Sequence, residues 1–229
     1  DNVNIEKKVP EPIPEEVKEK VPEKPAQAFD PTHYTEDQKL FPAVVQAGAM
    51  RADSAILWTF VTGSVKVSLK VWRSAPQVGM VIMDFDQVIQ PDPAGYAKVS
   101  VKGLQADIWY RYAFFTGNQR SGIGRFHTAF APNALKPFKM GAPCCTNRKY
   151  FKTFNSLNIM AKEKLDFLVH LGDTSYNDDG KDLNGYRKKW KELLADPGYR
   201  ALLPTSGSYF TWDDHEIINN YNPETIDSK

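Results

Sequence analysis

From about Leu40 to Ala131 the apolar positions fall into short runs separated by turn residues, over residues 55–61, 65–72, 81–85, 96–101, 109–116 and 124–129. Short β-branched and aromatic runs at this spacing predict an antiparallel sandwich of two sheets. Val65, Val67, Leu69 and Val71 alternate with Lys66, Ser68, Lys70 and Trp72, which gives that strand one continuous apolar face. Trp58 is expected to fill the core. Beyond residue 131 the pattern changes. Leu165, Phe167, Leu168, Val169 and Leu171 form a nearly continuous run, which suits a strand covered on both faces of an α/β sheet. Shorter runs at Phe138 to Ala142 and at Tyr209 and Phe210 read as its neighbours. Phe151, Phe154, Leu157, Ile159 and Met160, within residues 150–164, lie at near-helical spacing, as do Leu183, Tyr186, Trp190, Leu193 and Leu194 within 182–194. Two covering helices with their aromatics in the core are predicted, the second stopped by Asp196-Pro197-Gly198.

The opening segment fits neither pattern. Pro10, Pro12, Pro14, Pro22 and Pro25 among Glu, Lys and Val predict an extended spacer, or a segment that wraps along a partner. The expected division is therefore a tail or linker over 1–39, a β-sandwich over 40–131 and a second, α/β unit over 132–229. Leu104 with Tyr110 resembles the tyrosine corner of fibronectin-type sandwiches, in which the hydroxyl bonds back to the chain. His127 reads as a strand residue, His33 as solvated, and His170 as pointing into the sheet packing. With 29 basic and 28 acidic residues, charge gives no case for nucleic-acid or membrane binding. No apolar run approaches the roughly 18 residues of a membrane span, and the polar start carries no expected signal peptide.

Candidate chemistry gathers where the apolar runs end. Gly172 breaks the Leu165–Leu171 run, and Asp173 and Tyr176 follow it. In open α/β sheets ligands collect beyond the carboxyl ends of the strands, and both residues offer oxygen to a hard cation. Two further strand ends carry metal-ligand types, GAPCCTN at Gly141–Asn147 and WDDHEIINNY at Trp212–Tyr221. About 20 to 35 residues separate successive ends, enough for a crossover helix between parallel strands. Three such ends are what a binuclear site on a sheet edge requires. Cys144 and Cys145 are adjacent, so an unstrained disulfide between them is not expected; a thiolate ligand and a buried inert thiol both stay open. Asn177-Asp178-Asp179-Gly180 reads as a turn.

In that order GAPCCTN, LVHLGDTSY and TWDDHEIINNY resemble the first half of the catalytic domain of the PhoD-like alkaline phosphatases, a calcineurin-like metallophosphoesterase family. RADSAILWTFV (Arg51–Val61), IWYRYAFF (Ile108–Phe115) and SGIGRFHTAF (Ser121–Phe130) are similar to that family's N-terminal domain. The resemblance implies an α+β multidomain chain, a fibronectin/Ig-like β-sandwich followed by part of an α/β metallophosphoesterase sandwich. It aligns Asp173 with the carboxylate that bridges two metals, Tyr176 with an iron-coordinating tyrosine, and Asp214 with a further ligand. Cys145 is favoured over Cys144 as the cysteine ligand. His215 would assist the departing oxygen, and Asn219 or Asn220 would contact substrate.

The function implied is hydrolysis of a phosphoester substrate with Fe3+ and Ca2+ as cofactors, outside the cytoplasm (extracellular or periplasmic). The resemblance ends near the chain's last residue, whereas the family draws further ligands from downstream strands. Two readings follow, a phosphatase whose other half lies elsewhere and a non-catalytic structural or binding subunit. Either leaves an open strand edge over 209–221, to be filled by the missing C-terminal half or by another subunit.

Overall fold

Period-two alternation gives β3 (Ser54–Phe60) a buried side made of Ala55, Leu57 and Thr59. This computed structural model describes residues 29–63, 65–75, 80–222 and 224; the expected proline-rich spacer lies outside the described residues over 1–28. β3 pairs antiparallel with β2 (Gln46–Gly48) and, from Ser54↔Lys102 to Phe60↔Tyr96, with β6 (Tyr96–Lys102). A larger sheet has β1 (Thr35–Glu36), β8 (Gln119–Arg120), β7 (Trp109–Thr116), β4 (Val67–Ala75) and β5 (Met80–Ile89) in that order, with β9 (Gly124–His127) also on β7. Leu57 and Val99 of the small sheet meet Leu69, Tyr112 and Phe126 of the large one in a single apolar core. Each such side chain removed from water contributes on the order of 1.5–3 kcal/mol.

The two tryptophans depart from expectation. Trp58 does not fill this core; it is only half-buried, on the outer face of β3, stacked on Tyr96 and packed toward the second core. Trp72, placed by alternation on the polar side of β4, is fully buried there. Residues 29–39, read as the end of the linker, supply its cover: Phe29 meets Trp72 edge-on at 5.2 Å and Tyr34 meets Phe115 at 4.7 Å, while β1 runs parallel to β8.

The second half is a parallel sheet of β10 (Met140–Gly141), β11 (Phe167–His170) and β12 (Gly207–Phe210). Its helices differ from the prediction at their ends. The first, α1 (Asn155–Met160), is short and lacks a side-chain cap; Phe151 and Ile159, expected in the core, are exposed. α2 (Leu183–Leu194) starts where Asp182 accepts from the Gly185 amide at 2.7 Å. Asp196-Pro197-Gly198 ends it as expected and at once begins another helix, α3 (Pro197–Leu202). Asp196 there accepts from the Gly198 amide at 2.8 Å, and proline stands in the first turn. Leu157, Leu168, Leu193, Tyr199 and Leu202 form the core of this half.

Polar contacts join the halves. Tyr209 Oη donates to the Met50 carbonyl at 3.0 Å, Ser208 Oγ to that of Ala47 at 3.3 Å, and Arg125 Nε to that of Thr205 at 2.6 Å. His127 stacks on Trp109 at 4.9 Å, with its Nε2 3.1 Å from Asp107 and its Nδ1 3.2 Å from Asp166. It is a strand residue, as read from the sequence, and it also bridges the two halves. Among the described residues no helix is long and apolar enough to cross a membrane.

Two buried tyrosines one turn of the pleat apart separate packing from hydrogen bonding. Tyr110 Oη accepts from the Gln105 amide at 2.9 Å, the back-bond expected of a corner tyrosine. Tyr112 Oη is buried with no hydrogen-bond partner among the described residues. We therefore expect Tyr110→Phe to cost about 1–2 kcal/mol and Tyr112→Phe to be neutral or stabilising. Urea unfolding should show a lowered midpoint at constant slope for the first variant only.

Candidate metal centre

β11 ends at His170, and the next turn needs two left-handed backbone positions in succession, Gly172 at φ +101° and Asp173 at φ +54°. A side chain on Gly172 would place its Cβ 2.7 Å from the Cβ of Asp213, so glycine permits the turns after β11 and β12 to touch. The touching turns bring Asp173, Asp214 and His215 together. One ligand atom from each lies within 4.8 Å of the other two. Asp173 is buried; its Oδ2 accepts from Tyr176 Oη at 3.0 Å, and its Oδ1, also buried, has no partner among the described residues.

Cys145 and Tyr176 lie beside Asp173, and Cys145 stands outside the cluster that Asp173 forms with Asp214 and His215. Loss of hydration, then Cys144, then the Asp173 carboxylate push the Cys145 thiol up to about 11. Burial, followed by the hydrogen bond and charge of Asp173, likewise pushes the Tyr176 phenol upward, with Cys145 adding to it. Cys144 and Cys145 are free, as expected. Cys145 takes a left-handed backbone, φ +55°.

On the other turn, backbone bonds led by the Asn220 amide hold the Asp214 carboxyl below its usual range. Partial burial works against protonation of His215, but the Asp178 carboxylate, 2.7 Å from its Nδ1, outweighs this and raises it. The His215 ring lies 4.1 Å from that of Tyr176. Asn219 and Asn220 are exposed and enter through their backbones, whose amides donate to Asp178 (2.7 Å) and to Asp214.

Residues outside the expected set hold these groups in place. Glu216 is buried, and its carboxylate accepts from the amides of Asp173 (3.0 Å), Thr174 (2.5 Å), Ser175 (3.3 Å) and Asp213 (2.8 Å). It closes a capping box with Asp213. The spacing of Asp213 and Glu216 was a readable sign of that box. Asp178, read as part of a simple turn, orients His215, and Asn177 donates to the Glu216 carbonyl at 3.0 Å. Behind the turns His170 is fully buried, bonded to Tyr199 Oη at 2.9 Å and Thr174 Oγ1 at 2.8 Å, while Thr146 Oγ1 bonds Tyr199 at 2.7 Å. Beside the centre a groove of about 310 Å³ is lined by Asn147, Arg148, Lys149, Tyr176 and Lys189 among others. Asp178, Asp179 and Glu192 line it as well, and Lys189 pairs with Asp179 at 2.7 Å, so its charges balance.

Residues 140–229 match the family described as "PhoD-like phosphatase", and residues 26–130 match "PhoD-like phosphatase, N-terminal domain". "Alkaline phosphatase D" of Bacillus subtilis (strain 168) is 27% identical over 209 residues, covering 79% of this chain and 36% of that protein. A solved structure, "Structure of PhoD", superposes with a TM-score of 0.70 at 26% identity, covering 82% of this chain and 41% of the other. The chain thus spans well under half the length of either.

Two outcomes follow from the geometry alone. Glu216→Gln replaces one acceptor oxygen by a donor facing backbone amides, so a loss of about 2–4 kcal/mol is expected; faster amide exchange at Asp173 and Thr174 should accompany it. Burial lowers His170 to about 4 from its ordinary 6.5. As pH falls the unfolded chain takes up this proton first, so stability should decline between 6.5 and about 4 and then level off. His170→Asn should flatten that part of the stability profile.

Proposed function

Because the chain belongs to the PhoD-like phosphatase family, we propose that it is the front part of a metal-dependent phosphoester hydrolase centred on Asp173. The observation that carries this reading is the buried, unpartnered Asp173 Oδ1 beside Asp214 and His215. A carboxylate oxygen taken out of water without a donor is costly, and a cation relieves that cost. The donor set suits one as well. Loss of hydration and then an adjacent carboxylate hold Cys145 and Tyr176 protonated, and a positive charge beside them would favour release of both protons.

Asp173 and Asp214 would hold the cations together with Cys145 and Tyr176; a thiolate and a phenolate would suit Fe3+, and carboxylates would suit Ca2+. When bound, such cations supply Lewis acidity to the phosphoryl oxygens and acidify a water. The chain's own residues do the rest. Asp178 occupies Nδ1 of His215, so proton exchange with the departing oxygen falls to Nε2. Glu216 fixes the Asp173 and Asp213 amides, and Asn219 or Asn220 would contact substrate.

The two sheets around Leu57 and Tyr112 are read as the fibronectin/Ig-like sandwich over 40–131, and β10–β12 with their helices as part of a metallophosphoesterase sandwich over 132–229. Export from the cytoplasm and a partner segment against 209–221 belong to the same proposal. Exposed Trp212 and Tyr221 support such cover.

Metal analysis and an aryl phosphate assay test the proposal together. Iron and calcium should co-purify with the active form, and Asp173→Asn should lose both metal and hydrolysis. Cys145→Ser should weaken iron retention and Cys144→Ser much less. A metal-free preparation with full activity, or an unimpaired Asp173→Asn, would leave the non-catalytic subunit as the better account.

A further inference from the structure

α2 lays a basic stripe across the outer face of the small sheet. Residues four apart share one helix face, and here they are Leu183, Arg187 and Lys191. Opposite them Trp58 and Tyr96 stack at 5.9 Å with their planes 28° apart, and Phe60 lies 5.3 Å from Tyr96. Lys191 Nζ sits 4.2 Å from the centre of Phe60, and the Arg187 guanidinium 5.3 Å from that of Tyr96. Between them runs a groove of about 380 Å³, large enough for a small ligand.

We propose that this groove binds a planar aromatic anion at a site separate from the metal centre. Its lining includes Trp58, Phe60, Tyr96 and Trp190 but no carboxylate, and none of the candidate metal ligands. Among the described residues neither Arg187 nor Lys191 has an ion-pair partner. Ring faces offset part of each positive charge. The two cations are still like charges at helical spacing four, an arrangement that repels. An anion between them removes that repulsion and forms charge-assisted hydrogen bonds. The exposed parts of the aromatic rings offer faces or edges to a flat ligand. Leu183, 62% exposed, stands at the end of the stripe as an apolar lip. A neutral aromatic would gain only the rings, and a small inorganic anion only the cations, so the class selected carries both features.

Naphthalene-2-sulfonate tests this without being a phosphoester. Calorimetric titration of the full chain should give one saturable site, with neutral naphthalene-2-sulfonamide at least about tenfold weaker and sodium sulfate silent. Arg187→Gln combined with Lys191→Gln should weaken the sulfonate by about tenfold or more and leave the sulfonamide little changed. Added NaCl should weaken the sulfonate selectively on the unaltered chain, which decides the point even if the double variant folds poorly. Absence of binding, equal affinity for the anion and its neutral analogue, or full affinity in a folded double variant would overturn the proposal. So would loss of binding in Asp173→Asn, which would move the anion to the metal centre. Because no phosphoester is cleaved, the result is independent of the hydrolase reading.

Discussion

A carboxylate without water must be surrounded by donors, and Glu216 finds them in the backbone of two different turns. Its oxygens accept from Asp173, Thr174 and Ser175 after β11 and from Asp213 after β12. The requirement to satisfy one buried charge therefore fixes the separation of the two turns that carry Asp173, Asp214 and His215. Everything deeper supports the same joint. Tyr199 on α3 bonds both Thr146, next to Cys145, and His170, at the end of β11. Rearrangement of any one of these turns leaves a buried polar group unpaired.

The parallel sheet is in turn hung from the N-terminal sheets. Tyr209 and Ser208 of β12 reach the carbonyls of Met50 and Ala47, and His127 spans Asp107 and Asp166. These are polar, directional contacts between two separate apolar cores. Directional bonds fix orientation more sharply than apolar area does, which suits a mount for a cluster whose residues come from several loops.

Much of the β-structure was legible because its period is two. The run over 109–116 coincides with β7, and Tyr110 makes the expected back-bond. Alternation gives faces, but it cannot say what covers them. Trp72 is buried because residues 29–36 fold over it, and Trp58 turns outward because α2 lies on that side. Both depend on contacts distant in sequence. Asp196-Pro197 was ambiguous for a local reason, since the same pair that stops one helix caps the next. Within the candidate centre, Asp173 was visible because glycine interrupts an apolar run. Asp178 was not, because a short acidic turn gives no hint that one of its carboxylates reaches a histidine 37 positions away. Cys144 and Cys145 could not be separated from sequence, since a shift of one residue in the resemblance exchanges them.

Gly172 contributes no side chain, yet a Cβ there would lie 2.7 Å from that of Asp213. The span between the carboxylates of Asp173 and Asp214 is thus gauged by an omission. A methyl group at 172 would wedge the turns apart and pull against the bonds by which Glu216 spans them. The distance between two carboxylates then rests on a residue that belongs to neither.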